Sequence, residues 1–167
     1  MESFTHALQT VDPLTITFIN GLALSLLLGY LMGAERELRG KDAGISTHIF
    51  VLAGSMMFTL LSMTVDPAST SRISAQIVTG IGFLGAGLIL KDGASVRNLT
   101  TAASLWFAAA VGMTIGYGFY AIAVIAGVVS VFVPRIRHFK KEPFDHRDKT
   151  FAVEAKKVSR AKGVKSK

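Results

Sequence analysis

The sequence has no cysteine, which excludes disulfide bonds, zinc–thiolate sites and thiol catalysis. Charged residues are also few: Asp, Glu, Lys and Arg make up only 17% of the 167 residues, whereas hydrophobic residues make up 50%. The mean hydropathy is accordingly high, at +0.47. A soluble domain of this length needs less apolar material for its core. The composition therefore predicts an integral membrane protein.

Motifs of hydrolysis and phosphoryl transfer are also missing. The sequence has neither a Walker loop nor a G-x-S-x-G nucleophile elbow, and its four histidines do not show a metal-binding spacing. The run from Gly80 to Gly85 fits the G-x-G-x-x-G pattern of dinucleotide-binding loops. However, it lies inside an apolar run, and no acidic residue follows about 20 positions later. We expect helix packing there, and we predict no cofactor, no metal site and no enzymatic activity.

Five apolar runs, separated by polar segments, predict an all-α, polytopic membrane helix bundle. The third run is central, because the 18 uncharged residues between Arg72 and Lys91 can cross most of the hydrocarbon core of a bilayer. At ~1.5 Å per residue, such a helix approaches the ~30 Å thickness of that core. The predicted spans are residues 14–34, 47–65, 73–90, 99–115 and 117–133.

Small residues recur along three of the predicted spans. The first and fourth spans carry one at every fourth position, and the third is rich in glycine. Residues four apart share a helix face, so we expect close helix contacts here, including contacts in a homo-oligomer. Trp106 falls near the middle of the fourth span, and we expect it to pack inside the bundle. The predicted packing positions are Gly21, Ser25, Gly29, Gly33, Gly80, Gly82, Gly85, Gly87, Ser104, Ala108, Gly112 and Gly116.

The basic residues are distributed unevenly along the chain. With five spans, 17 of the 18 Lys and Arg residues lie on one side: three in residues 34–46, two in 91–98 and twelve in 135–167. The positive-inside tendency puts this side in the cytoplasm, which explains the basic excess without a nucleic-acid partner. Residues 1–13 are then extracytoplasmic, and residues 14–134 form the membrane domain. The basic tail, partly disordered, anchors the topology or contacts anionic lipid or a partner.

Two charged segments at the predicted cytoplasmic boundary form the candidate site. We expect the segments to meet as one cluster, either as internal salt bridges or as a surface that binds a partner or ligand. If the first helix continues for one more turn, Glu35 and Arg39 become i,i+4 partners. The predicted cluster consists of Glu35, Glu37, Arg39, Lys41, Asp42, Lys91, Asp92, Arg97 and Asn98.

Arg72 and Gln76 are the polar positions of the central helix. Arg72 is the one basic residue that the sequence puts on the predicted outer side, so the topology does not account for it. Its guanidinium could pair with Asp66 or bind a lipid phosphate group. Gln76 follows one helical turn later, on the same face as Arg72.

Three segments together resemble the MgtC/SapB family of bacterial membrane proteins, over about residues 14–133. They are Gly33-Ala-Glu-Arg-Glu-Leu-Arg-Gly-Lys41 with Ala43-Gly44; Arg72 with Ala75-Gln-Ile and Gly80-Ile-Gly-Phe-Leu-Gly-Ala-Gly87; and Val96-Arg97 with Leu99-Thr-Thr-Ala-Ala-Ser-Leu-Trp106. The resemblance implies a polytopic inner-membrane protein, often linked to growth in low magnesium and, in pathogens, to survival inside phagocytes. For the best-known member it also implies inhibition of the F-type ATP synthase rather than magnesium transport.

The sequence departs from this family pattern at two positions. Ser46 stands where the pattern usually has arginine, which removes a charge, and Asn98 stands where it usually has glycine before Leu-Thr-Thr. Asn98 could cap the helix that follows it. Longer members continue into a soluble carboxy-terminal domain of ACT-like fold. Here we expect no second folded domain, because the tail is too short and too polar to bury a core.

Two functions are compatible with these observations. The preferred one is a non-catalytic membrane regulator that packs against other membrane proteins through its small-residue stripes. The alternative is a transporter or channel for Mg²⁺ or another cation. Ion pathways usually carry ionisable residues, and the interiors of the predicted spans contain no carboxylate. The sequence therefore favours the regulator.

Overall fold

A computed structural model describes residues 12–65, 67–92 and 95–136. The predicted all-α membrane bundle is confirmed. Its five helices, numbered in chain order, are α1 (Pro13–Leu38), α2 (Ile45–Val65), α3 (Arg72–Leu88), α4 (Leu99–Gly116) and α5 (Tyr120–Phe132). One turn of 3-10 helix, Val133–Arg135, follows α5. The polar segment between α3 and α4 contains a short antiparallel hairpin of β1 (Leu90–Asp92) and β2 (Ser95–Arg97).

Three of the described helices, α1, α2 and α4, are long and apolar enough to cross a membrane by length and composition. The other two are shorter, with 17 residues in α3 and 13 in α5. The number of spans, their orientation and the cytoplasmic side therefore stay predictions. The expectations for residues 1–11, for Asp66 and for the tail beyond residue 136 lie outside the described part of the chain.

The glycine stripe of α1 brings α1 and α2 into backbone contact. A Cβ atom placed on Gly29 would lie 2.8 Å from the Cα atom of Ile49. A Cβ atom on Gly33 would lie 2.7 Å from the amide nitrogen of Ile45. Such distances are shorter than van der Waals contact, so only glycine permits this approach. Gly21 and Ser25 of the same stripe are also buried.

The stripe of α4 packs in the same way against the other side of α2. Gly112 lies against the backbone of Leu52, and a Cβ atom on Gly116 would lie 2.7 Å from the carbonyl oxygen of Met56. Helices α1, α2 and α4 therefore form the packed centre of the fold, with α5 against α1. The buried apolar core contains Leu28, Met32, Leu52, Met56, Ala108, Val111, Ile115 and Ala123.

The amino-terminal end of α3 is held by the hydroxyl groups of Ser62, in α2, and of Tyr117, the residue that follows α4. The side-chain oxygen of Ser62, in α2, donates to the carbonyl oxygen of Thr70 at 2.7 Å. It also accepts the backbone N–H groups of Ile73 at 3.2 Å and Ser74 at 3.3 Å, two donors that the first turn of a helix leaves without partners. The hydroxyl of Ser74 in turn lies 2.6 Å from that of Tyr117. These bonds fix one end of α3 although few of its side chains are buried.

Most glycines of helix α3 do not contact another helix of the described chain, so their predicted packing stays a prediction for contacts with another molecule. A Cβ atom placed on Gly85 would lie 3.6 Å from the methyl carbon of Ala102, an ordinary van der Waals contact. Apart from chain neighbours and the helix's own backbone, no atom of the described residues lies within 4 Å of a Cβ placed on Gly80, Gly82 or Gly87. The expectation for Trp106 is wrong, because this side chain is 52% exposed on the outer surface of α4. Small residues show that a helix can approach another, but they do not show whether the other belongs to the same chain.

Candidate functional site

The two predicted charged segments meet at one end of the bundle. Helix α1 and the loop to α2 contribute residues 35–42, and the hairpin and its junction with α4 contribute residues 90–98. The side-chain amide of Asn98 donates to the carboxylate of Asp42 at 2.5 Å. We call this end of the molecule the charged end.

Helix α1 extends four residues beyond its predicted end, and the backbone conformation of Gly40 ends it. Gly40 has φ of 62°, a left-handed conformation that suits glycine. The N–H of Lys41 donates to the carbonyl oxygen of Arg36, and that of Gly40 donates to the carbonyl oxygen of Glu37. These two hydrogen bonds form the Schellman motif, which ends many helices. It keeps residues 35–38 helical and so sets the directions of their side chains.

Asn98 occupies the N-cap position of α4, but its side chain does not cap the helix. Its backbone is left-handed, with φ of 63°. This conformation explains why glycine suits the position, since asparagine is among the few other residues that adopt it readily. The expectation that Asn98 caps α4 is therefore wrong for its side chain, which bonds to Asp42 instead.

We expect the variants Asn98→Gly and Asn98→Ala to separate these two roles. Asn98→Gly keeps the left-handed backbone and loses the bond to Asp42, so it should destabilise the protein by about 0.5 kcal/mol. Asn98→Ala should cost about 1 kcal/mol more, because alanine is strained in this conformation. Thermal unfolding in detergent measures both. Asp42→Ala should add little in the Asn98→Gly background, and equal effects of glycine and alanine at position 98 would contradict the backbone argument.

Glu37 joins the end of α1 to the start of α2. Its carboxylate oxygen Oε1 accepts the backbone N–H of Ile45 at 2.9 Å. This N–H belongs to the first turn of α2 and has no partner within the helix. An acidic group at this place also interacts favourably with the positive end of the helix dipole. Glu37 thus has a structural role, although it is exposed.

The inner part of the charged end is a buried group of polar side chains from α1 and α4. Glu35 is 5% exposed and Arg36 is 4% exposed, although both belong to the charged segment. Glu35 forms an ion pair with the Nε atom of Arg39, as the i,i+4 spacing predicts for an extended helix. The Nη2 atom of Arg36 donates to the hydroxyl oxygen of Thr101 in α4 at 3.1 Å.

His48 brings a third ionisable side chain to the interior, from the first turn of α2. It is completely buried, and its Nδ1 atom lies 2.9 Å from the carbonyl oxygen of Gly44. Because a carbonyl oxygen only accepts, the hydrogen lies on Nδ1, and Nε2 of the neutral ring is an acceptor. Nε2 has no hydrogen-bond partner among the described residues, and Oε2 of Glu35 has none either, whereas Oε1 of Glu35 is paired with Arg39.

The charge of this arrangement disfavours a bound cation. The described residues contain no group of three His, Asp or Glu side chains that could hold a metal ion. Glu35 faces two guanidinium groups, those of Arg36 and Arg39, so the local charge is positive. A hard divalent cation instead needs an excess of oxygen ligands with negative charge.

Arg36, His48 and Thr101 are the members of the charged end that the sequence analysis missed. Arg36 was hidden among exposed charges, yet the glycine stripe of α1 continues from Gly33 to Arg36 at a spacing of three. His48 is an ionisable residue inside an apolar helix, which is itself a signal of function or buried pairing. Thr101 belongs to the Leu-Thr-Thr segment that carries part of the family resemblance.

The remaining predicted members lie on the surface. Lys41, Lys91 and Arg97 are exposed. Asp92 belongs to β1, but its side chain is outside the described part of the structure. The structure therefore separates the predicted cluster into a buried inner group and an exposed basic rim. The roles of these residues in binding a partner or ligand stay predictions.

Arg72 and Gln76 lie at the other end of α3, away from the charged end. Gln76 lines an open groove between α2 and α3 with a volume of about 470 Å³. The walls of the groove are mostly apolar, and its floor includes Gly54 from α2 and Gly80 from α3. No atom of the described residues lies within 4 Å of a Cβ placed on either glycine. The groove therefore has room for a side chain from another molecule.

A second, shallower recess of about 50 Å³ lies between α3 and α4. Trp106 and Val78 line it, and both are about half exposed. Trp106 is the eighth of the 18 residues of α4, so its indole ring lies near the middle of the helix.

The family model and two of the relatives that match this chain carry the same family name. The sequence model of the MgtC family matches residues 22–142. "Protein MgtC" of Salmonella typhimurium strain LT2 is 47% identical over 116 residues, covering 70% of this chain and 50% of that protein. "Protein MgtC" of Brucella abortus is 47% identical over 113 residues, covering 67% and 48%.

A relative with a different name is "Putative magnesium transporter YhiD" of Escherichia coli K12. It is 39% identical over 137 residues, covering 75% of this chain and 62% of that protein. This chain thus spans about half the length of the MgtC relatives and somewhat more of the Escherichia coli protein. No solved structure matches the chain.

Proposed function

The chain belongs to the MgtC family, and from this membership we propose that it is a non-catalytic regulator that acts by binding other membrane proteins. It is a multi-pass protein of the bacterial inner membrane. The name of the Escherichia coli relative refers to magnesium, so the proposed process is adaptation to low magnesium.

The observation that supports this proposal best is the exposed Trp106. Tryptophan on a lipid-facing surface usually lies at a membrane–water boundary, where its N–H group can reach water. Trp106 is 52% exposed near the middle of α4, and its indole N–H donates no hydrogen bond to the described residues. Large aromatic residues dominate the binding energy of protein interfaces. We therefore propose that a helix of another membrane protein covers Trp106 and the neighbouring Val78 side of α3.

The glycine stripes of α1 and α4 are not available for such a contact, because they are used within the chain. Gly33 lies against Ile45, and Gly112 lies against Leu52. The exposed side of α3 and α4 is thus the part of the small-residue surface that remains for a partner. The family resemblance suggests the membrane sector of the F-type ATP synthase as the first partner to test.

The variant Trp106→Ala tests this proposal. In a bacterium that lacks its own MgtC-family protein, the wild-type chain should support growth in low magnesium and co-purify with ATP synthase subunits. Trp106→Ala should lose the growth benefit and reduce the co-purified amount roughly tenfold, as expected for an interface residue of high energy. Tyr30→Ala is the matched control, since Tyr30 is an aromatic residue that is 54% exposed on α1. Equal behaviour of the two variants at equal membrane levels would contradict the proposal.

Cation transport is the second candidate, and one observation favours it. The carboxylate of Glu35 is buried, and its Oε2 atom has no partner among the described residues, although Oε1 is paired with Arg39. Such a group inside a membrane protein often marks an ion or proton path. In liposomes we expect no Mg²⁺ flux above that of empty vesicles, because the positive guanidinium groups surround Glu35. Saturable Mg²⁺ uptake that Glu35→Gln abolishes would replace the regulator with a transporter.

A further inference from the structure

Helix α3 has few buried residues. Of its 17 residues, the buried ones are Ser74, Ile81 and Gly85. Gly80 and Gly82 are both exposed. Residues two positions apart point in nearly opposite directions from a helix axis, about 200° from each other. The helix thus has two open faces. Val78, one turn before Gly82, lines the recess beside Trp106, whereas Gly80 lines the groove against α2.

Gln76 lines this groove, and its side-chain amide requires a hydrogen-bond partner. Its side chain is exposed, and it makes no hydrogen bond with the described residues. A helix of 17 residues is about 26 Å long, which is shorter than the ~30 Å hydrocarbon core. If α3 crosses the membrane, as the sequence predicts, Gln76 in its second turn lies at hydrocarbon depth. An amide there needs a polar partner, because lipid chains offer none.

We infer that a second copy of this chain covers the groove, with α3 of one copy packed along α3 of the other. Two copies inserted in the same membrane have the same orientation, so they are related by a twofold axis along the membrane normal. Gln76 of each copy then lies at the same depth without further adjustment. An amide group both donates and accepts, so two amides facing each other across such an axis satisfy one another. This inference does not depend on the proposed function.

The spacing along α3 agrees with a parallel helix pair. Ile73, Gly80 and Gly87 are separated by seven residues each, the repeat that keeps positions on the seam of two parallel helices. Gly80 and Gly87 have no atom of the described residues within 4 Å of a Cβ position, so both leave room for the backbone of a neighbour. Leu84 lies between them on the same side and lines the groove.

Single-cysteine cross-linking tests this inference directly, because the chain has no cysteine of its own. We compare Gly80→Cys with Gly82→Cys in the full-length chain, in native membranes at equal expression. Both positions are exposed and empty around the Cβ position, so neither change disturbs the fold. A disulfide requires Cα atoms within about 7 Å. Mild oxidation should therefore give a cross-linked dimer for Gly80→Cys, and roughly tenfold less for Gly82→Cys.

Equal cross-linking at the two positions, or more at position 82, would overturn the inference. Gly87→Cys, on the same seam, provides a second measurement if Gly80→Cys is poorly expressed. Gln76→Leu in the Gly80→Cys background should lower the dimer fraction about threefold, as expected for a hydrogen bond between membrane helices. Gln76→Asn should retain more of it. Since the cross-link is measured without any partner or growth assay, its failure is distinct from a failure of the proposed function.

Discussion

Replacement of Gly33 by alanine should remove most of the folded protein from the membrane. The new methyl carbon would lie 2.7 Å from the amide nitrogen of Ile45 and 2.8 Å from the carbonyl oxygen of Gly44. These are backbone atoms, which cannot move aside by a change of rotamer. Helices α1 and α2 would have to separate, and we expect a loss of about 3 kcal/mol or more.

The same substitution at Gly82 is the matched control. Gly82 also lies in a helix and off the proposed α3 seam, and apart from chain neighbours and the helix's own backbone no atom of the described residues is within 4 Å of its Cβ position. Alanine is preferred over glycine in a helix by about 1 kcal/mol, so Gly82→Ala should be neutral or slightly stabilising. Thermal unfolding in detergent should therefore show a loss of stability for Gly33→Ala and no loss for Gly82→Ala. A loss of stability for Gly82→Ala equal to that for Gly33→Ala would show that the contact with Ile45 is not the cause.

Replacement of Arg36 by methionine should also be severe. Methionine keeps an apolar chain of similar length but removes the guanidinium group that donates to Thr101. It also leaves the buried carboxylate of Glu35 with Arg39 as its remaining cationic neighbour, and Arg39 is 39% exposed. Loss of one partner from a buried ionic group typically costs about 3–5 kcal/mol, and we expect a value near the lower limit because Arg39 remains.

Two further variants identify the cause of this effect. Glu35→Gln combined with Arg36→Met should recover part of the stability, because the double variant no longer buries an uncompensated charge. Lys41→Met removes a basic residue from the exposed rim of the same end and should change stability by about 0.5 kcal/mol at most. If Lys41→Met and Arg36→Met have similar effects on the unfolding temperature, burial of Arg36 is not what matters.

The sequence analysis located the helices well because their signals are local. An apolar run predicts a helix in the membrane whether or not its neighbours are known, and the predicted third span, residues 73–90, differs from α3 by two residues or fewer at each end. Gly40 marks the end of α1 for an equally local reason, its left-handed backbone. The pairing of Glu35 with Arg39 follows from helical spacing alone once α1 continues to Leu38.

The charged end was predicted only in outline. The meeting of residues 35–42 with residues 91–98 follows from the order of the helices, and the bond from Asn98 to Asp42 shows where they touch. The sequence could not show that Arg36 turns inward to Thr101 while Lys41 stays outside. This depends on the rotation of α1 about its axis, which is set by contacts with α2 and α4. The hairpin between α3 and α4 was likewise hidden, because three-residue strands give no periodic signal.

The sequence by itself determined that this protein is a membrane helix bundle, where its helices lie, and which positions allow close approach. Tertiary structure alone decided that Gly33 and Gly112 meet α2 of the same chain, whereas Gly80, Gly82 and Trp106 face outward. The physical reason lies in the solvent. In water, apolar surface identifies the buried face of a helix, but in lipid both the inner and the outer faces are apolar. The partner of each face is then fixed by how the helices fit together.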